Sequence, residues 1–281
     1  MNLGAGAAII RPVNCAMIGF AVIVGEIVSG PPTISPLQSA LGFLTGFFVC
    51  AYSMVVNDIY DLEVDRINQP RRPIPSGKIS VPGATRISIA MLIAGFTCAF
   101  LSLNFAAVAV AAIYASLSWL YNFRAKKSGI AGNAIVASSL AIPFVYGGIV
   151  SGGSSLSPLL ILMALTAFLS GVGREVVKAM ADVDGDARRG ISSVARESGM
   201  KVAAYVGGCF FVLAVVTSWI PLVTGLANEI YTLGVLVPDA IFAYLTWTII
   251  RNGSQENARR VKTYALMGML AGLLVFVGGG V

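Results

Sequence analysis

The chain alternates long apolar runs with short polar ones. Nine apolar runs fall at about 7–28, 37–57, 84–103, 105–122, 132–150, 157–178, 200–220, 232–250 and 262–280. Each approaches the roughly 20 residues that an α-helix needs to cross the hydrocarbon of a bilayer. The pattern predicts an all-α membrane protein of about nine transmembrane helices in one bundle. The breaks carry turn chemistry, at Gly30-Pro31-Pro32, Gly152-Gly153-Ser154 and Pro221, and the shortest join lies near Asn104. The first run lacks a basic lead-in and a small-residue cleavage site, so it reads as a permanent span rather than a signal peptide.

Charge placement adds topology. With nine spans, the N-terminus and the loops after spans 2, 4, 6 and 8 share one face, and all 19 Lys and Arg residues of the chain fall there. They run from Arg11 through the stretch Arg66 to Arg86, then Arg124, Lys126 and Lys127, then Arg174 to Lys201, and end with Arg251 to Lys262. By the positive-inside rule that face is cytoplasmic. The expectation is an integral protein of the cell membrane with its N-terminus inside and its C-terminus outside. The same rule accounts for the net charge of +6 without nucleic acid.

Composition narrows the chemistry. The chain is 57% hydrophobic and 11% charged, where soluble domains carry about a quarter charged residues. It has no histidine, which excludes His-ligated zinc, His-ligated haem and a histidine base. Cys15, Cys50, Cys98 and Cys209 lie far apart in apolar runs and read as small buried hydrophobes. Glu26 and Glu229 read as loop residues of the outer face. Asp239, after Pro238, either lies within span 8 or marks a span that starts there, and a structural role is expected for it.

Two windows hold seven of the 13 acidic residues: Asn57-Asp58-Ile59-Tyr60-Asp61-Leu62-Glu63-Val64-Asp65 and Asp182-Val183-Asp184-Gly185-Asp186. They follow spans 2 and 6 and so share the basic face. Asp58, Asp61 and Asp65 are spaced i, i+3, i+7, and Asp182 and Asp186 i, i+4, which on a helix puts each set on one side. Stacked like charges repel; Mg²⁺, which prefers carboxylate and phosphate oxygens, would remove the repulsion. The plainer alternative, a solvated membrane edge, suits a lone Asp better than two clusters in equivalent loops. The equal phase also suggests two pseudo-repeats, 1–125 and 126–250, followed by a final helix, although residue identity between the halves is slight.

Between spans 2 and 3 the segment Asn68-Gln69-Pro70-Arg71-Arg72-Pro73-Ile74-Pro75-Ser76-Gly77 cannot be a continuous helix. It reads as a fixed loop presenting Arg71 and Arg72, whose planar forks suit phosphate oxygens. Tyr121 and Lys126 end span 4, and Arg174 and Lys178 lie one turn apart before the second acidic window. Phosphate contact and a simple topology signal are both open readings for these cations. Arg11 and Asn14 sit at the mouth of span 1, where Asn14 faces either a central cavity or a neighbouring helix.

The first acidic window and its loop resemble the signature of the UbiA superfamily of intramembrane prenyltransferases, NDxxDxxxD followed by NxPxRPIPSG. Asn57, Asp58, Asp61 and Asp65 match the first part. Asn68, Pro70, Arg72, Pro73, Ile74, Pro75, Ser76 and Gly77 match the second. Asp182 and Asp186 match the family's second motif, DxxxD, although Arg174 stands where many members have Tyr, and Ala179 and Ala181 where some have acids. The resemblance implies a single nine-helix domain over 1–281 around a central apolar cavity. It implies Mg²⁺ held by Asp58, Asp61, Asp65, Asp182 and Asp186, and a prenyl diphosphate donor bound by Asn14, Asn57, Arg71, Arg72, Tyr121, Lys126, Arg174 and Lys178. Asp61, Arg72 and Lys178 would carry catalysis, with a carboxylate, the diphosphate or water accepting the acceptor's proton. The segments DRINQPRRPIPSG and GREVVK look most like an archaeal branch that alkylates geranylgeranylglyceryl phosphate. An aromatic acceptor of the 4-hydroxybenzoate type is the alternative. A cation-coupled transporter is the distant one, since transporters place acids at mid-membrane.

Overall fold

The computed structural model describes residues 3–30, 35–152, 156–188 and 190–279. The turns expected at Pro31-Pro32 and Gly153-Ser154, and Arg189, lie outside the described residues, as do the side chains of Asn68, Lys127 and Arg188.

The first apolar run is two helices rather than one. α1 (Leu3–Ile10) and α2 (Pro12–Val28) meet at a 47° bend. Pro12 has no N–H to continue the ladder, and Arg11 before it takes a left-handed conformation, φ 51° and ψ 66°. α3 (Pro36–Tyr60) and the short α4 (Leu62–Asn68) lead into the proline-rich loop. α5 (Val81–Leu101), α6 (Phe105–Phe123) and α7 (Ile130–Val150) follow, then α8 (Pro158–Ala181) with the short α9 (Val183–Arg188) and α10 (Val194–Glu197). α11 (Met200–Val223), α12 (Glu229–Gly234), α13 (Leu236–Arg251) and α14 (Gln255–Gly279) complete the chain. Among the described residues eight segments are long and apolar enough to span, with α12 and α13 counted as one, and the bent α1–α2 pair makes nine.

Helix starts follow from local sequence. Ser35 and Ser157 each precede a proline at the first helical position; Ser157 Oγ accepts from Leu160 N at 3.1 Å. At the shortest join Asn104 caps α6, accepting from Ala107 N at 3.2 Å, and its amide donates to Ile149 O at 2.9 Å. Pro221 does not break its span as expected. It sits inside the last turn of α11, and its carbonyl accepts from Leu226 N and Ala227 N.

α2 packs against α3 and α7, α7 against α8, and α8 against α11 and α14. Small residues allow the closest approach. A Cβ on Gly25 would collide with the Phe144 carbonyl, and one on Gly147 with the Val22 carbonyl, so α2 and α7 touch backbone to backbone. Two further expectations change. Glu26 is not in an outer loop but buried within α2, where it accepts from Ser39 Oγ at 2.5 Å. Cys15 and Cys50 are buried, but Cys209 is exposed on α11.

Candidate active site

One end of the bundle gathers the charges: the bend at Arg11, the C-termini of α3, α6 and α8, and the start of α14. α3 ends at Tyr60, and Asp61 caps it with φ −88° and ψ 2° before α4 begins. Backbone bonds from Asp61 N to Asn57 O and from Asp65 N to Asp61 O keep the turn tight. Asp58 and Asp65 are 2% and 4% exposed. Acids this buried require partners, and each has one or more. Arg72 Nη1 donates to Asp65 Oδ2 at 2.6 Å and to Asp58 Oδ1 at 3.3 Å, and its Nε donates to Gln69 Oε1 at 2.7 Å. Arg11 Nη2 donates to the same Asp58 Oδ1 at 2.5 Å.

The loop holds Arg72 in place through its own burial. Ile74 and Ile79 pack with Ala5, Ile9, Val55 and Ala84. Backbone bonds from Ser76 N to Arg72 O and from Ile79 N to Pro73 O close the turns, and Gly77 supplies φ +75°. Arg71, beside it, is exposed and joins none of these bonds.

Asp61 does not share this environment. Lys126 Nζ, from the turn after α6, donates to both Asp61 oxygens, to Oδ2 at 2.5 Å, and lies 3.4 Å from Asn57 Oδ1. Asn57 Nδ2 donates to Asp61 Oδ2 at 3.0 Å. The single ligand face expected from i, i+3, i+7 spacing is thus divided between two sets of cations, because the helix breaks at Asp61.

The second cluster differs. Asp182 caps α8, is exposed, and accepts from Lys262 Nζ at 3.4 Å. Asp184 accepts from Gln255 Nε2 at 2.9 Å, and Asp186 is half-buried. The buried acid here is Glu175, 6% exposed, which accepts from Arg174 Nη1 at 2.8 Å and Lys178 Nζ at 2.9 Å. Sequence reasoning passed over Glu175; the signal was its i, i+3 spacing to Lys178. Arg174 Nε is buried without a hydrogen-bond partner among the described residues. The turn after α6, which carries Lys126, meets the segment after α9. A backbone bridge joins Ser128 to Ser192, and Tyr121, under Lys126 at 6.0 Å, lies within electrostatic range of Asp61, Glu175 and Asp186.

Among the described residues no three acids converge on one point; they converge on cations instead. The donor set of five aspartates is all hard oxygen, which fits Mg²⁺ and not a softer metal. The buried Asp58 and Asp65 need positive charge permanently, and the unsatisfied Arg174 Nε is a donor that an anion would satisfy.

Further into the bundle α2, α7, α8, α11, α13 and α14 line a partly open cavity of about 100 Å³. Met17, Ile18, Phe144, Phe242 and Phe276 give it an apolar wall. Asn14, exposed, lies one turn from Met17 and Ile18 toward the charged end, on the same side of α2. Asp239 is on the cavity wall, ten residues into the span that begins at Glu229. Both its oxygens accept from Ser218 Oγ at 3.0 Å, and Oδ2 also accepts from Trp219 Nε1 at 2.8 Å.

Comparison with known proteins agrees with this layout. Residues 18–273 match the model of the UbiA prenyltransferase family. The chain belongs to that family. A protein of Methanocaldococcus jannaschii named digeranylgeranylglyceryl phosphate synthase is 35% identical to this UbiA-family chain over 273 residues, covering 97% of this chain and 95% of the relative. A solved structure described as digeranylgeranylglyceryl phosphate synthase is 33% identical, with a TM-score of 0.80, covering 99% of this chain and 98% of the other. A UbiA homologue from Archaeoglobus fulgidus, solved bound to GPP and Mg²⁺, is 21% identical with a TM-score of 0.69 over 97% of this chain and 99% of that one, and shares the fold. The all-α bundle and the prenyltransferase class expected from the motifs are therefore borne out.

Proposed function

We propose that this UbiA-family protein transfers a geranylgeranyl group from its diphosphate to geranylgeranylglyceryl phosphate. An ether C–O bond forms at the acceptor hydroxyl as the allylic C–O bond to diphosphate breaks. The hydroxyl proton leaves to a carboxylate, the diphosphate or water. The observation that carries this reading is the near full-length match to the archaeal synthase, on a chain whose bundle carries two charged motifs at one end and an apolar cavity further in.

The geometry supports the following residue roles. Asp58, Asp61 and Asp65 on one side and Asp182 and Asp186 on the other would hold Mg²⁺, which neutralises the charge growing on the leaving diphosphate. Arg72, Lys126 and Lys178 would donate to the phosphate oxygens, with Asn57 orienting Asp61 through its amide. Arg71, Arg174 and Tyr121 edge the same mouth, and Asn14 stands between mouth and cavity. The apolar wall holds the prenyl tail and keeps water from the allylic cation. Asp239 ties α13 to α11 through Ser218 and Trp219, a structural role.

The same reading places the N-terminus and charged mouth in the cytoplasm and the C-terminus outside the cell membrane, since every Lys and Arg falls in segments of that end. It also takes the chain as two four-span units plus α14. The neighbour pattern α2–α3–α5 recurs as α7–α8–α11, which supports the division.

The test is an assay of purified protein in detergent with Mg²⁺ and geranylgeranyl diphosphate, offered geranylgeranylglyceryl phosphate or 4-hydroxybenzoate. Digeranylgeranylglyceryl phosphate is the expected product. Alkylation of the aromatic acceptor alone would replace the lipid acceptor in this reading.

A further inference from the structure

Arg11 holds an unusual position. It is one of two non-glycine residues with positive φ among the described residues, at the point where α1 stops and α2 starts. Helices often stop at a left-handed residue, and glycine is the usual choice because a Cβ there costs about 1–2 kcal/mol. An arginine at this position is explained by where its side chain goes. Its guanidinium reaches Asp58 Oδ1 at 2.5 Å and Met54 Sδ at 3.5 Å, and its remaining donors have no partner among the described residues.

Two arginines therefore share one buried carboxylate oxygen, since Arg72 also donates to Asp58 Oδ1. Both are carried by one apolar unit: Ala5 and Ile9 of α1 pack with Ile74 and Ile79 of the loop. Around the first cluster the charges balance, with Asp58, Asp61 and Asp65 facing Arg11, Arg72 and Lys126. A divalent cation on the carboxylates would upset that balance and free guanidinium for an anion. Arg11, 30% exposed, has one charged acceptor, Asp58, and only a thioether contact to Met54 at its other Nη, so it is better placed to move than Arg72, which has three acceptors.

We propose that Arg11 is a phosphate-binding residue of the donor site, latched on Asp58 in this structure and passed to a diphosphate oxygen once Asp58 is engaged by a divalent cation. Arg11 thus opposes cation binding when it acts alone and supports diphosphate binding when both ligands are present. This rests on the prenyl-diphosphate reading above.

The test is calorimetry on the full chain in detergent, with MgCl₂ alone and then with inorganic diphosphate at saturating Mg²⁺. Arg11→Gln should bind Mg²⁺ alone several-fold more tightly and diphosphate at least tenfold more weakly. Arg11→Lys should recover part of the diphosphate affinity. Arg66→Gln, which removes an exposed cation of the same region, should change neither. Thermal melting establishes that each variant is folded, and an unfolded Arg11→Gln leaves Arg11→Lys to decide by the same two signs. Unchanged diphosphate affinity in Arg11→Gln would overturn the proposal. So would Mg²⁺ and diphosphate affinities that fall together, the mark of a residue that only props Asp58. If the wild type binds diphosphate but alkylates neither acceptor, the functional reading fails and this one stands; if it binds no diphosphate, both fail.

Discussion

The two acidic clusters occupy equivalent places in the sequence but differ in structure. At the end of α3, Asp58 and Asp65 are buried and fixed by cations from separate parts of the chain, Arg11 from the α1–α2 bend and Arg72 from the proline loop. Beyond α8, Asp182 and Asp184 are exposed, with partners on α14. Burial there belongs to Glu175, which holds Arg174 and Lys178. The first side of the mouth is built in advance, and the second leaves Asp182 and Asp184 exposed and ties its cations Arg174 and Lys178 to Glu175. Charged groups that are preorganised stabilise developing charge without reorganisation, and by that measure the first side is the better prepared of the two.

Substitution should separate the two sides, and the largest effect is expected at Asp58. Asp58→Asn should lower transfer by roughly 10³-fold or more, as expected for a group that acts with its neighbours as a unit. It should also destabilise the fold by about 2 kcal/mol, less than the cost of breaking a fully buried pair because both guanidinia keep some solvent. Turnover together with a chemical melt measures both, and an unchanged melt would mean that the first side is not prebuilt.

Asp182→Asn should cut transfer by roughly 10²-fold with stability within about 0.5 kcal/mol of wild type, as for an exposed residue. Comparable destabilisation by the two substitutions would erase the contrast. Glu175→Gln should act in between, raising the donor KM several-fold as Arg174 and Lys178 lose their anchor, with about 1–2 kcal/mol lost from the melt. The smallest effect on chemistry is expected away from both sides. Asp239→Asn should weaken the bonds to Ser218 and Trp219 by about 1–2 kcal/mol and leave turnover of the folded protein within a few-fold. Loss of chemistry in a protein that melts normally would give Asp239 a part in the reaction.

Most of the bundle could be read from hydropathy, because lipid demands long uninterrupted apolar helices and permits little else. Eight of the nine runs correspond to segments long and apolar enough to span and the first to the bent α1–α2 pair, and the structure extends several toward the charged end. The bend at Arg11 was hidden, since the apolar run continues on both sides and a left-handed residue leaves no mark in periodicity. Glu26 was misplaced for a related reason. An acid near a Gly-Pro turn looks like a loop residue, and its partner Ser39 lies on the next helix. The motifs singled out the aspartates proposed for the donor site, but spacing treated α3 and α4 as one helix and so gave Asp61 the face of Asp58. Glu175 escaped because its burial is a tertiary fact, created where α8 packs against α7 and α11.

The central claim is that two unequal sides form one diphosphate clamp. A double-mutant cycle on transfer kcat/KM tests it directly, with Asp61→Asn, Asp182→Asn and the pair combined. If both sides grip the same diphosphate, the double variant should be scarcely slower than the slower single variant. Losses that multiply in full would mean that the clusters act independently, and would contradict the account.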